Sequence, residues 1–269
     1  MEIHIHYRAK KHFGQNFLKD TVYVDRIVQS IPNIWQGQQL VEIGVGLGDL
    51  TDRLLEFYQL KAYEVDRDLC SFLVQKYNDF FISGKLELIC KDVLELPCEQ
   101  GWLDPKEYIL VSNLPYYIAT AIVLRLLRDS QCKGFIVMTQ KEVAQKFCAR
   151  SGEREFCALS VITQTLGEPQ ILFDVPKEAF SPMPKVTSSV FMVKKNGNCL
   201  QEGFEAMLKV CFSAPRKKLL SNLASQYGKQ TTRRVFEHLL LTQSVRAHEI
   251  DTATYHQIFE NLKVEKYGK

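Results

Sequence analysis

The sequence predicts an α/β fold: a mixed, mainly parallel sheet of seven strands flanked by helices, followed by a small all-α C-terminal domain. Three observations predict it. Between residues 39 and 138, short apolar runs alternate with amphipathic stretches of helix length, as in parallel strands joined by crossover helices. The first run passes directly into Gly44-Val45-Gly46-Leu47-Gly48, a tight strand-to-helix turn. Beyond Asn196-Gly197-Asn198 the strand-like runs stop and only helical periodicity remains.

Each element follows in order. Residues 8–19 mix basic, amide and aromatic groups, and Phe13, Phe17 and Leu18 argue that the segment docks over a site as a lid. Residues 20–31 form an amphipathic helix capped by Asp20, with Val22, Ile27 and Val28 inward. Strands are expected at 39–43, 61–65, 86–90, 108–111 and 134–138, with a helix from the glycine turn through Phe57, another capped at Asp66 or Asp68, and a third over 118–128. Helical stretches at 141–149 and 157–166 precede strands at 170–173 and 187–193, an antiparallel pair that closes the sheet edge. With Asn196-Gly197-Asn198 as linker, the domains are 1–196 and 197–269, the second built from helices near 202–212, 216–227, 230–241 and 251–262.

Composition narrows the class of protein. The chain carries 46% apolar and 24% charged residues, ordinary for a folded soluble protein, and its 269 residues suit one large domain with a smaller appendage. Residues 1–200 hold 23 Lys and Arg against 24 Asp and Glu, whereas residues 201–269 hold 11 against 7. A basic C-terminal part on a neutral body suits a polyanion partner, although a solvated helix face gives the same count. The eight cysteines form no C-x-x-C pair and are expected to be reduced core thiols of a cytoplasmic protein with no metal site. His4 and His6 read as terminal residues rather than a metal pair. No signal peptide and no membrane-spanning segment are expected.

The residues fit for chemistry gather at strand ends, where parallel sheets bind ligands. Gly44 and Gly46 allow close ligand approach, but Asp49 stands where a dinucleotide fingerprint has its last glycine. The charge of Asp49 disfavours a pyrophosphate and favours a cationic ligand such as S-adenosylmethionine. Glu64, ending the second strand, is placed to accept from both ribose hydroxyls. Asp92, ending the third, is placed to accept from an adenine amino group; either acid could instead be a helix cap. At the end of the fourth strand Ser112-Asn113-Leu114-Pro115-Tyr116-Tyr117 reads as a holder for a flat polar group. Asn113 offers an amide oxygen, Leu114 a carbonyl fixed by Pro115, and Tyr116 a stacking face; a strand end closed by a proline turn has the same residues.

With these motifs the chain resembles the Rossmann-like S-adenosylmethionine-dependent methyltransferases, and Asn113-Leu114-Pro115-Tyr116 resembles the N-[ILP]-P-[YF] motif of those that act on exocyclic amines. Lys11-His12-Phe13-Gly14-Gln15-Asn16-Phe17-Leu18 and Phe180-Ser181-Pro182-Met183-Pro184-Lys185-Val186-Thr187-Ser188 narrow the resemblance to the ribosomal RNA adenine dimethyltransferases, as does the stretch around Arg216-Lys217-Lys218-Leu219. The resemblance implies that Gln15, Asn16 and Leu18 lie over the cofactor, that Val93 adjoins it beside Asp92, and that Phe180 is a second aromatic wall of the adenine pocket. It implies that Asn113 and Leu114 take the two hydrogens of the target amine, and that Arg216, Lys217, Lys218, Arg233 and Arg234 contact RNA. Thr187 departs from the family's Asp at that position. Within the family, the bacterial branch fits best, which implies dimethylation of two adjacent adenines in a hairpin loop near the 3′ end of 16S ribosomal RNA, in the small subunit or its precursor, by a monomer. A 23S ribosomal RNA dimethyltransferase of the antibiotic-resistance type, or a ribosome-assembly factor without catalysis, shares most of these features.

Overall fold

A computed structural model of the chain describes Lys10, residues 14–98 and residues 101–267, with side chains to residue 264. Lys11, Phe13, His4 and His6 lie outside the described residues. In chain order, the strands are β1 (Phe17–Leu18), β2 (Gln39–Ile43), β3 (Leu60–Glu64), β4 (Leu86–Cys90), β5 (Tyr108–Asn113), β6 (Cys132–Gln140), β7 (Gly167–Val175), β8 (Phe180–Ser181) and β9 (Ser188–Lys195). The helices are α1 (Thr21–Gln29), α2 (Asp49–Phe57), α3 (Arg67–Lys76), α4 (Asn78–Ile82), α5 (Ala119–Arg128), α6 (Lys141–Cys148), α7 (Ala158–Leu166), α8 (Phe204–Cys211), α9 (Leu219–Tyr227), α10 (Lys229–His238) and α11 (Thr252–Tyr267). The chain divides into two compact units, residues 1–144 with 170–197, and residues 145–169 with 198–269.

The first unit holds the seven-stranded sheet, in the order β4-β3-β2-β5-β6-β9-β7. The five parallel strands, β4, β3, β2, β5 and β6, meet β9 in antiparallel register, and β7 lies beside β9 at the sheet edge. Burial is continuous along β5, from Tyr108 to Ser112, so both faces of the sheet are covered. Gly134 in β6 shows how tight the packing is: a Cβ there would lie 2.2 Å from Cζ2 of Trp35. Asp20 caps α1 by accepting from the Val22 amide at 3.0 Å, but Val22 itself is 61% exposed, and Val24, Ile27 and Val28 face the core instead. Ile27 and Val28 face inward as expected, and Val24 takes the place expected of Val22.

The feature that positions the site is the sheet order. The chain steps outward from β2 through β3 to β4, then returns to the other side of β2 for β5 and β6. This reversal opens a crevice between the carboxyl ends of β2 and β5. A two-stranded sheet, β1 with β8, pairs Leu18 with Phe180 and fastens the N-terminal strap to the first unit.

The second unit departs from a simple division at residue 197. Segment 145–169 joins the C-terminal helices, since α7 packs on α8 and α11. Thr165 Oγ1 and Nε2 of His256 lie 2.9 Å apart, and Thr252 donates to Gln164 at 2.6 Å. Nor do Arg216, Lys217 and Lys218 lie in a helix: they occupy the turn before α9. The buried Asn222 amide holds that turn by donating to the carbonyls of Cys211, at 2.7 Å, and Ala214, at 3.1 Å.

The cysteines also differ from expectation. Cys70 on α3 and Cys90 at the end of β4 form a disulfide, with 6.2 Å between their Cα atoms. Register explains the meeting, because Cys90 lies opposite Glu64 and α3 starts just beyond Glu64. Cys98 and Cys199 are exposed, whereas burial lifts the thiols of Cys132 and Cys211 to about 12.

Candidate active site

The crevice at the sheet reversal is an open cleft walled by the strap, the glycine turn and the carboxyl ends of β2, β3 and β5. Every residue to which the sequence reading gave a cofactor role lines it: Gln15, Asn16, Leu18, Gly44, Gly46, Glu64, Asp92, Val93 and Asn113. Leu114, Pro115 and Tyr116 line it as well.

At one wall the glycine turn and Glu64 are built together. Gly46 has φ +62°, its N–H donates to Glu64 Oε2 at 3.0 Å, and a Cβ on it would come within 3.0 Å of the Phe17 ring of the strap. A glycine at 46 is therefore needed for backbone conformation and for room. The other oxygen, Glu64 Oε1, accepts from the amides of Val65 and Asp66 at 2.9 and 3.0 Å. Burial pushes the Glu64 carboxyl up, and these three amides oppose it. A carboxylate has about four acceptor positions, so with three amides bound Glu64 keeps one, on Oε2, for a ligand hydroxyl. Asp92 Oδ1 caps the short turn after β4 through the Leu94 amide at 2.8 Å, leaving Oδ2 for a ligand. Asp66 is a cap, as expected, and its side chain also receives Gln15 Nε2 at 3.1 Å and Lys10 Nζ at 2.7 Å. The strap is thus latched at Asp66, and again by Lys19 on Asp49 at 2.7 Å.

At the opposite wall the Asn113 loop is fixed from three sides. Ser112 donates to the Ile43 carbonyl at 2.5 Å, tying β5 to the start of the glycine turn. The Tyr116 hydroxyl meets Ser188 Oγ at 2.6 Å, which pins its ring. Asn113 Nδ2 donates to the Asn16 carbonyl of the strap at 3.3 Å, so the amide oxygen is the end left for a ligand. The Leu114 amide is used by the Met138 carbonyl at 3.1 Å, while the Leu114 carbonyl has no intramolecular donor among the described residues. Two acceptors and an aromatic face therefore stand together, suited to an amine on a flat ring.

Phe180 pairs with Leu18 and packs in the hydrophobic core at 5% exposure, where it props the strap. Thr187 contributes its backbone, whose carbonyl accepts from the Lys141 amide at 3.0 Å, and its side chain is exposed. Two of the cleft residues to which the sequence reading gave no role of their own bear on the site. Glu42, 1% exposed, lies beneath the glycine turn and accepts from Thr51 Oγ1 at 2.7 Å. Burial lifts its carboxyl to about 8, against the Thr51 hydrogen bond and with smaller upward pushes from Glu64 and Asp52. An acid immediately before a glycine turn was the available signal. The other is Tyr117, discussed below.

In the helical unit Arg216, Lys217, Lys218, Arg233 and Arg234 are all exposed. A backbone bridge from Lys218 to Arg246 adds a further cation beside the basic turn, a pairing that sequence spacing does not reveal.

A parallel sheet with a cleft at its reversal, acids at its strand ends and an amine holder at its mouth defines a Rossmann-like methyltransferase. The profile of the ribosomal RNA adenine dimethylases matches residues 6–263, nearly the whole chain. Over 263 residues the chain is 54% identical to the ribosomal RNA small subunit methyltransferase A of Helicobacter hepaticus, covering 96% of this chain and 92% of that protein. Its counterpart from Campylobacter jejuni is 44% identical over 266 residues, covering 97% of each. The chain belongs to the ribosomal RNA adenine dimethylase family. Among solved structures, a dimethyladenosine transferase from Plasmodium falciparum shares the fold at TM-score 0.76 and 22% identity, covering 93% of this chain and 98% of that one. The 23S rRNA methyltransferase ErmE does so at TM-score 0.71 and 24% identity, covering 92% and 99%.

Proposed function

We propose that the protein dimethylates the exocyclic amines of two adjacent adenines in a hairpin loop near the 3′ end of 16S ribosomal RNA, using S-adenosylmethionine, during small-subunit assembly. The observation that carries the reading is the acceptor pair, Asn113 Oδ1 and the Leu114 carbonyl, set beside the pinned Tyr116 ring. The names of the relatives at 44–54% identity support the small subunit over the 23S alternative. The intact acceptor pair speaks against a factor without catalysis.

The cleft suits the cofactor. Glu64 Oε2 would hold a ribose hydroxyl, Asp92 Oδ2 the adenine amine, and Glu42 and Asp49 give the glycine-turn end an acidic character that matches a cationic methionine moiety. When bound, the cofactor supplies an electrophilic methyl group on a sulfonium. Asn113 and Leu114 accept the two amine hydrogens, which turns the nitrogen lone pair out of conjugation with the ring and toward the methyl carbon. Tyr116 holds the base, already unpaired in a loop, by stacking. The methyl group would pass from the sulfonium to this nitrogen, which would then release its surplus proton to water. Alignment supplies most of the acceleration, so no strong base is required. The protein would act as a monomer in the cytoplasm, where its substrate is assembled. The exposed cations of the helical unit would bind the phosphates.

The test is to incubate the protein with labelled S-adenosylmethionine and separated ribosomal subunits, then map the label. Two neighbouring dimethyladenosines in 16S RNA are expected. Label confined to 23S RNA refutes the target, and no label on either refutes the activity.

A further inference from the structure

Two tyrosines stand side by side at the mouth of the cleft, and their side chains meet different neighbours. Tyr116 turns to Ser188, on the target side. Tyr117 turns the other way. It lines the cleft, its ring lies over the strap so that a Cβ on Gly14 would be 3.2 Å from Cδ1 and 3.8 Å from Cε1, and Asp92 and Glu64 are the carboxylates that act on its hydroxyl. Partial burial, then those two charges, push the hydroxyl upward, so it stays protonated at neutral pH. The ring nevertheless remains 58% exposed, a large apolar surface with one edge on the strap and the rest uncovered.

We propose that Tyr117 is a positioning residue for the cofactor, its ring roofing the adenosine side of the cleft between the Gly14 turn and the carboxylates of Glu64 and Asp92. This rests on the cofactor reading above. Consecutive residues of one rigid loop then serve the two reactants: Tyr116 faces the target base and Tyr117 covers the methyl donor. Because Pro115 stiffens the loop ahead of both, a shift of one ring moves the other. The partner of Tyr117 is flat and carries amine and hydroxyl donors, which an aromatic face and two carboxylates beneath it recognise together. Gly14 makes the roof possible. At φ +59° it tolerates the turn that a side chain would strain, and it offers no Cβ to lift the ring away.

The experiment compares wild type, Tyr117→Ala and Tyr117→Phe. Calorimetry without RNA gives Kd for S-adenosylmethionine and S-adenosylhomocysteine, and steady-state kinetics with undermethylated small subunits gives KM for each substrate. Loss of an aromatic contact should weaken both cofactor species about three- to tenfold in Tyr117→Ala and raise KM for S-adenosylmethionine by a similar factor, with KM for the subunit unchanged. Tyr117→Phe should restore the wild-type values, since the ring and not the hydroxyl forms the roof. Unchanged cofactor Kd in Tyr117→Ala overturns the proposal, and so does a rise confined to KM for the subunit, which would make Tyr117 a target contact. Wild-type protein that binds neither cofactor species would instead overturn the cofactor reading itself. The ring's exposure makes misfolding of these variants a minor concern, and an unchanged Tm identifies well-folded protein.

Discussion

Glu42→Gln isolates the electrostatics of the cleft floor. The wild-type carboxyl titrates near 8 in the fold and near 4.5 when unfolded, so between these values the folded chain binds a proton that the unfolded chain has released. Stability therefore falls as pH rises through this window, the reverse of a salt-bridged carboxylate. At about 1.4 kcal/mol per pH unit the loss reaches at most ~5 kcal/mol by pH 8. Glutamine has the same shape and no proton to lose, so the variant should lack this slope. Its amide still accepts from Thr51, at a cost of about 1–2 kcal/mol for an unpaired N–H. In cofactor-free protein, Glu42→Gln should melt slightly lower than wild type at pH 5 and higher at pH 8, a swing of roughly 10 °C at about 2–4 °C per kcal/mol. Parallel Tm curves for the two proteins from pH 5 to 8 would refute the reasoning. The same group gives a binding signature. A cationic ligand above Glu42 favours its carboxylate, so S-adenosylmethionine binding at pH 7 should release a proton, seen as a buffer-dependent calorimetric heat that Glu42→Gln loses.

Three further outcomes follow from the geometry. Asn113→Ala should abolish methyl transfer while changing the cofactor Kd by less than about threefold, because the other cofactor contacts remain; single-turnover assays and calorimetry separate the two. Neutralising Arg216, Lys217 and Lys218 together should weaken RNA binding and lower the slope of log K against log salt by up to about three, with cofactor binding intact; a salt titration shows it. Gly134→Ala forces a Cβ against Trp35 and should destabilise the first unit by about 2 kcal/mol or more, measured by denaturant unfolding.

Much of this was legible because parallel strands announce themselves by continuous burial, and their carboxyl ends must hold the ligand. Gly44, Glu64, Asp92 and Asn113 could be placed on one edge without knowing any contact. What stayed hidden depended on pairings between distant residues. Phe180 is an exposed aromatic in a turn by its local sequence, and only its ladder to Leu18 buries it. Segment 145–169 reads as part of the sheet domain because it interrupts it, while its apolar partners on α8 and α11 come much later in the chain. Cys70 and Cys90 are an unremarkable spacing until the β3–β4 register brings them together. Glu42 looked like one polar residue in a strand, since a sequence shows the acid but not its burial.

The Asn113 amide shows why the strap belongs to the reaction rather than to the cofactor alone. An asparagine side chain can present either a donor or an acceptor, and nothing in the loop Asn113-Leu114-Pro115-Tyr116 chooses between them. The Asn16 carbonyl chooses, by taking Nδ2. Asn16 is in turn held by its own side chain, which donates to the Gly14 carbonyl at 3.0 Å. With the strap seated, the mouth of the cleft shows two acceptors. An exocyclic amine satisfies both with its two hydrogens, whereas a ring carbonyl in that place would leave both unpaired and repelled, at about 1–3 kcal/mol each. On the proposed reading, selection of an amine over the carbonyl of guanine or uracil would rest on residues 14–16. A strap displaced from Asp66 and Asp49 would free the Asn113 amide to turn, and the mouth would then lose its preference for an amine.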